Sequence, residues 1–191
     1  MICPISLRNL VEIFLEKIID KKSSHLICFL DKNWKSTSTI DSYGHDIEAS
    51  WLLYEAASLL GDPKLLAKVR ETSIKIADTT AEGLQSDGSL IYEKDFSTGE
   101  IRTDRSWWPQ AETIVGCINA FELTGKVSYL DNAINCWNYT KQHLVDNKNG
   151  GWFSSVSESG VVGRGDKTGF WICPYHNGRM CLEVIERVAR E

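Results

Sequence analysis

The stretch HDIEASWLLYEAASLLGDPKLLAKVRETSIKIADTTAEG, residues 45–83, decides the fold class. Its first part is rich in Ala and Leu and acidic near its start, which is typical of a helix. Gly61 predicts the end of that helix, while Asp62 and Pro63 are typical of the N-cap and first turn of a second one. The sequence therefore predicts two helices joined by a tight turn.

The same pattern extends outward in both directions. Apolar periodicity predicts an earlier helix from Leu7 to about Asp20, a second helix pair across Gly125, and a last helix from about His176. The second pair is predicted to run from about Pro109 to the glycine and then over residues 128–144. Six helices are expected in all. The segments between the pairs, 26–44, 86–105 and 152–167, carry the turn residues and short β-prone runs of extended segments or hairpins.

This alternation of helix pairs and longer returns predicts an all-α array of helical hairpins. The array could be an open solenoid or a closed α/α toroid, and no sequence repeat decides between them. A chain of 191 residues is long enough for one sizeable core, so residues 1–191 are expected to form a single domain. In a toroid the longer loops would gather around a pocket at one end.

Composition excludes several classes of function. A net charge of −5 and the absence of a Lys/Arg cluster argue against a nucleic-acid partner. Charged residues interrupt the opening segment, so we expect neither a signal peptide nor a membrane span. The six cysteines are scattered without a CxxC pair, which favours reduced thiols and a cytoplasmic location over metal binding or disulfides.

Three short motifs combine aromatic, imidazole and carboxylate groups. In SYGHDIEASW, His45, Glu48 and Trp51 follow one another at intervals of three and could line one wall. The alternative is an ordinary helix start with a core tryptophan, and the local pattern alone favours it. The HxxE spacing also occurs in metal sites, but no third ligand is identifiable, so no metal is expected.

The other two motifs are equally open to two interpretations when each is taken alone. In SWWPQAE, Trp108 and Glu112 are four residues apart and could form a sugar-binding pair or a hydrophobic staple with a first-turn carboxylate. In TGFWICPYHNGR, Trp171 precedes His176, which opens the last helix, and a lone histidine there is more often a capping or solvated residue.

Taken together, SYGHDIEASWLL, WWPQAE and WICPYHNGR resemble corresponding segments of the N-acylglucosamine 2-epimerase family, and the first is closer to its cellobiose branch. The resemblance runs from about Leu7 to the end of the chain. It implies half of an (α/α)6 toroid around a sugar pocket, and an isomerase that inverts C2 of a reducing-end glucose or mannose unit without a metal or nucleotide cofactor. The substrate would be a mono- or disaccharide.

The resemblance also implies roles for individual residues. His176 and His45 would transfer the C2 proton on opposite faces of the sugar through an enediolate. Glu48 and Glu112 would orient these imidazoles or bind hydroxyl groups. The indoles of the three motifs would shape the pocket and stack on the sugar, namely Trp51, Trp108 and Trp171.

Members of the family are about twice as long, and the chain resembles their C-terminal half. The other half would supply an arginine and further sugar contacts, so we expect a truncated form with little activity alone, or a chain that pairs with a separate half or with itself. Three other functions remain open: an aldose–ketose isomerase, an inverting glycoside hydrolase using Glu48 and Glu112, and a non-catalytic carbohydrate-binding remnant.

Overall fold

The computed structural model describes residues 3–189, and six α-helices dominate that part of the chain. They are α1 Pro4–Ile13, α2 Tyr43–Leu60, α3 Pro63–Thr80, α4 Trp107–Thr124, α5 Val127–Tyr139 and α6 Tyr175–Val188. The predicted number of helices is confirmed, and most of the boundaries lie within a few residues of those expected. No helix in this described part is long and apolar enough to cross a lipid bilayer.

Both predicted helix pairs form through tight turns. Gly61 ends α2 with a left-handed φ of 64°, and the Asp62 carboxylate then caps α3 by accepting from the backbone N–H groups of Lys64 and Leu65. Gly125, with φ 71°, ends α4 in the same way. Glycine adopts this conformation without the steric cost that a Cβ atom brings, so the two turns reverse the chain within a few residues.

The helices form two layers. Helices α2, α4 and α6 pack side by side as an inner row, while α3 packs outside α2 and α5 outside α4. In α4, 13 of 18 residues are buried, on all sides of the helix, which marks it as the central element. Helix α1 packs on the free side of α2. This arrangement is half of an (α/α)6 toroid, as the resemblance implied.

Two small antiparallel sheets lie in the returns between helix pairs. Strands β1 Ile40–Asp41, β2 Glu93–Asp95 and β3 Ile101–Arg102 form one sheet in the order β1-β2-β3. Strand β4 Arg105–Ser106 pairs with β5 Ser155–Val156 in the other. The hairpin expected over residues 86–105 is therefore confirmed, and its last residues pair with the return between α5 and α6.

The end of the first helix differs from the prediction. Regular α-helix stops at Ile13, and the chain continues to Ile18 as a π-helical turn in which the N–H of Ile19 donates to the carbonyl oxygen of Phe14. A similar π-helical turn, Thr140–Leu144, follows α5. Apolar periodicity does not distinguish these wider turns from an α-helix, since the side chains still face the core.

Candidate functional site

The inner helices α2, α4 and α6 begin at the same end of the molecule and border a cavity of about 580 Å³. Their first turns carry His45, Trp108 and His176, respectively, and all three side chains line the cavity. Glu48 and Trp171 line it as well. Motifs that are far apart in the sequence therefore meet because each lies at the start of an inner helix or in the loop before it.

Close packing of α2 against α4 positions the central indole. A Cβ atom added at Gly44 would lie 2.6 Å from Cη2 of Trp108, so only glycine permits this approach. The Trp108 ring then contacts both imidazoles, with ring centroids 4.7 Å from His45 and 5.4 Å from His176. The two histidines therefore border the same cavity and share one aromatic neighbour.

A carboxylate holds the imidazole of His176. Its Nδ1 atom lies 2.6 Å from Oε1 of Glu112, whose other oxygen accepts from the indole N–H of Trp51 at 3.0 Å. Glu112 is 1% exposed, and an ionised carboxylate can only accept hydrogen bonds. The pair therefore places the proton of His176 on Nδ1 and leaves Nε2 free to face the cavity.

Arg179 completes this network, although no motif distinguishes it from the other arginines. Its Nη2 atom lies 2.6 Å from Oε1 of Glu48 and 2.7 Å from Oε1 of Glu112. Burial by itself lowers the pKa of the Arg179 guanidinium, but the hydrogen bonds that it donates to Glu112 and Glu48 outweigh burial and raise that pKa. The available signal was position, because Arg179 follows His176 by three residues on α6.

The same network bears on metal binding. Ligand atoms of Glu48, Glu112 and His176 lie within 4.8 Å of one another, a spacing that could suit a divalent cation. The Arg179 guanidinium, however, already lies between the two carboxylates and donates to both. The residues present thus provide their own cation, and the acidic pair serves to hold Arg179 and His176 in place.

His45 has a different setting. Its side chain is exposed, and its Nδ1 atom lies 2.7 Å from the hydroxyl oxygen of Ser42, a residue that the sequence reading did not single out. Ser42 itself is buried, with 4% of its surface exposed. The available signal was its spacing, three residues before His45 at the start of α2.

Two of the three expected sugar-stacking indoles border the cavity, and Trp51 does not. It is 1% exposed, packs in the core between α2 and α4, and carries the Arg179 guanidinium over its ring at 4.9 Å. Three residues turn a helix about 60° short of a full circle, so two such steps move Trp51 about 120° away from His45. Stacking on a sugar does not fit this position, and Trp51 instead binds Glu112.

Trp171 lies at the mouth of the cavity. It is 85% exposed in the loop before α6, and Phe170 packs edge-on against it with ring centroids 4.9 Å apart. Exposed indole and phenyl rings at a cavity mouth can contact the apolar faces of a bound ligand. The predicted position of Trp171 beside the site is therefore consistent with ligand contact.

Comparisons with known proteins give the family. The sequence profile described as N-acylglucosamine 2-epimerase (GlcNAc 2-epimerase) matches residues 6–177. A cellobiose 2-epimerase from Bacteroides fragilis is 52% identical over 180 residues, which are 94% of this chain and 46% of that protein. The chain thus spans about half the length of the curated relatives that it matches.

Solved structures agree with this assignment. The structure of cellobiose 2-epimerase from Bacillus thermoamylovorans matches with a TM-score of 0.90 and 40% identity over 96% of this chain and 47% of that one. A D-mannose isomerase structure shares the fold with a TM-score of 0.82 at 18% identity, over 96% of this chain and 49% of that one. On the evidence of its sequence, its fold and the cavity at the starts of its inner helices, this chain belongs to the N-acylglucosamine 2-epimerase family.

Proposed function

We propose that this chain forms one side of the active site of a sugar epimerase that inverts C2 of a reducing-end glucose or mannose unit, as in cellobiose. The observation that carries the proposal is the placement of His45 and His176 at one cavity, each in contact with the ring of Trp108. The similarity to cellobiose 2-epimerases supports the choice of substrate.

The chemistry explains why two imidazoles are needed. In the ring-opened sugar, the C1 aldehyde acidifies the C2 proton, and a general base can remove it to give an enediolate. Inversion requires that a proton return to C2 from the opposite face. Two acid–base groups on opposite sides of the carbon achieve this without moving the intermediate, and imidazole suits both roles near neutral pH.

His176 is the proposed base on one face. Glu112 keeps its Nδ1–H bonded, so the Nε2 lone pair is directed at the cavity. Glu48, Glu112 and Arg179 together carry a formal charge of −1, so a proton taken up by His176 would neutralise the cluster. His45 is the proposed acid on the other face: as the imidazolium it gives a proton to C2 and is left as the neutral imidazole.

The remaining site residues bind rather than transfer protons. Trp108 contacts both imidazoles and offers an indole ring to the C–H face of the sugar, while Trp171 would cover the sugar from the mouth of the cavity. Glu48 lines the cavity and can accept a hydrogen bond from a sugar hydroxyl while keeping Arg179 in place. In this proposal none of these groups contacts C2.

We further propose that the site is completed by a second half-toroid. Apolar side chains remain exposed along α6, where Leu182, Ile185 and Val188 are 65–70% exposed, and Leu10 on α1 is 51% exposed. Surfaces of this kind are normally covered by a partner. The other half could be the remainder of a longer chain, a separately encoded protein or a second copy. The isolated chain should then epimerise poorly, and rapid turnover by a monomer of confirmed native mass would contradict this part of the proposal.

A glycoside hydrolase is disfavoured by the acidic pair. Inverting hydrolases need carboxyl groups about 6.5–9.5 Å apart to accommodate a water molecule. Here carboxylate oxygens of Glu48 and Glu112 lie within 4.8 Å, both are bonded to Arg179, and Glu112 is 1% exposed. Neither carboxylate is therefore free to act on a glycosidic bond.

A chimeric protein tests the proposal. The chain would replace the segment that it matches in the 52% identical Bacteroides fragilis cellobiose 2-epimerase, and the chimera would be given cellobiose in heavy water. The expected product is the C2 epimer with deuterium at C2. Deuterium at C1 of a ketose would instead support the aldose–ketose isomerase, and a folded chimera that binds cellobiose without exchanging the C2 proton would contradict both.

A further inference from the structure

Ser42 occupies the N-cap position of α2, but its side chain does not cap the helix. A serine at this position normally accepts a hydrogen bond from a backbone N–H in the first turn. Asp62 does so at the start of α3, where its carboxylate accepts from two backbone N–H groups. The hydroxyl of Ser42 bonds instead to the side chain of His45, at 2.7 Å from Nδ1.

A different residue anchors the start of α2. Asp46, in the first turn, is 0% exposed, and its carboxylate accepts from the backbone N–H of Leu26 at 2.7 Å and pairs with Nδ1 of His25 at 2.7 Å. A carboxylate in this position also interacts favourably with the positive end of the helix. Since Asp46 stabilises the helix start, Ser42 is available for another role.

We propose that Ser42 is a positioning residue for His45: its hydroxyl oxygen accepts from Nδ1–H, so that Nε2 of the ring faces the cavity. As the imidazolium, His45 gives its Nε2 proton to C2 and is left as the neutral ring with its proton on Nδ1; in the reverse direction the same Nε2 takes the proton back. Neutral His45 would then have the same tautomer as His176, whose Nδ1 donates to Glu112, but it would be held by a neutral hydroxyl instead of a carboxylate. This inference rests on the proposed function, in which one imidazole accepts a proton and the other supplies one.

The contact with Trp108 depends on the same hydrogen bond. The imidazole of His45 is exposed, and it makes a hydrogen bond with the Ser42 hydroxyl and a ring contact with Trp108 at 4.7 Å. The hydroxyl limits rotation of the imidazole about its side-chain bonds and keeps it beside the indole. Without the hydroxyl, the ring should sample other rotamers and lose its fixed position at the cavity.

Nuclear magnetic resonance of the chain labelled with 15N-histidine tests this without any sugar. The sequence has four histidines, so single His→Gln variants assign the signals. We expect the proton of the neutral ring on Nδ1 in both His45 and His176, and a shift of the His45 ring protons caused by the Trp108 ring. Ser42→Ala should move the His45 Nδ1 signal and abolish that ring-proton shift, and Ser42→Thr should restore both.

Ser58→Ala is the matched control, because Ser58 lies at the far end of α2 and its hydroxyl donates to the carbonyl oxygen of Tyr54. A neutral His45 ring with its proton on Nε2, or His45 signals that Ser42→Ala leaves unchanged, would overturn the inference. In the chimera, Ser42→Ala should lower kcat about tenfold with little change in KM. Normal kcat together with altered His45 signals would contradict the role in catalysis, while an inactive parent chimera would count against the proposed function alone.

Discussion

The two sides of the cavity hold their histidines by different means. His176 is half-buried and belongs to an ionic network with Glu112, Glu48 and Arg179, whereas His45 is exposed and bonded to one neutral hydroxyl. The ionic side is rigid, and it fixes one tautomer through an acceptor-only carboxylate. The neutral side can donate or accept. This asymmetry suits a reaction in which one imidazole begins as base and the other as acid.

The largest expected effect separates the two histidines functionally. In the chimera, His176→Gln and His45→Gln should each lower epimerisation at least ~100-fold, because each removes one acid–base group. For each epimer, one of the two variants keeps the histidine that removes the C2 proton. In heavy water that variant should still exchange the C2 proton for deuterium, but it should not invert C2. Hydrogen–deuterium exchange from the glucose and mannose configurations measures this.

His143→Gln is the control, since that imidazole stacks on Tyr139 after α5 and does not line the cavity. Both variants could instead lose C2 exchange and inversion to the same extent with both epimers. That result would contradict separate acid and base roles for His45 and His176.

Glu112→Gln should weaken the ionic side most. The substitution removes the negative charge shared by His176 and Arg179 in a buried position, which should lower the free energy of unfolding by about 2–3 kcal/mol. Urea denaturation of the chain measures this loss. Glu71→Gln, which breaks an exposed pair with Lys75 on α3, should leave the midpoint nearly unchanged. Equal midpoints for the two variants would contradict the assigned importance of the network.

Gly44→Ala should disturb the contact between the two sides. The new Cβ atom would meet the Trp108 ring at 2.6 Å, so the indole must shift, at a cost of about 1–3 kcal/mol in stability. Gly178→Ala makes the same change in the first turn of α6, where the added atom meets Pro174 at an ordinary 3.6 Å. It should be neutral or slightly stabilising. Thermal denaturation and tryptophan fluorescence would compare the two variants.

The smallest expected effect is the pH dependence of the His25–Asp46 pair, which anchors the start of α2 next to His45. Burial lowers the pKa of His25, but the hydrogen bond to Asp46 and its charge outweigh burial, so the folded-state pKa is raised. The pair therefore contributes stability that is full below the ordinary histidine value of about 6.5 and is lost as pH rises through the higher folded value. Burial also raises the pKa of the Asp46 carboxyl group, so the contribution of Asp46 to stability likewise falls as pH rises.

Denaturation of the parent chain and His25→Gln across pH 6 to 9 measures this effect. The difference in unfolding free energy between the two proteins should shrink as pH rises. A difference that grows with pH would contradict the assigned direction.

Much of the fold could be predicted because its signals are local. Gly61, Asp62 and Gly125 define the turns of both helix pairs, and their conformations follow from the residue types. The π-helical turns after α1 and α5 could not be predicted, since they leave the apolar pattern intact. The pairing of β4 with β5 joins segments 50 residues apart, and nothing in two-residue strands specifies that partner.

The residues of the candidate site were likewise predictable where their signals are local and not where they depend on distant partners. The motifs led to both histidines, both glutamates and the indoles of Trp108 and Trp171, all of which lie in or beside the cavity network. Helical spacing alone could not decide whether Trp51 faced the cavity or the core. Arg179 and Ser42 were missed because their importance depends on partners far along the chain or on a capping bond that is not made.

The common direction of the inner helices has an electrostatic consequence. Helices α2, α4 and α6 all present their first turns to the same cavity. Each helix start carries a partial positive charge of roughly half a unit. Three such ends form a preorganised positive field that needs no side chain to move, and it would favour an anionic intermediate over a neutral sugar at the moment that charge develops.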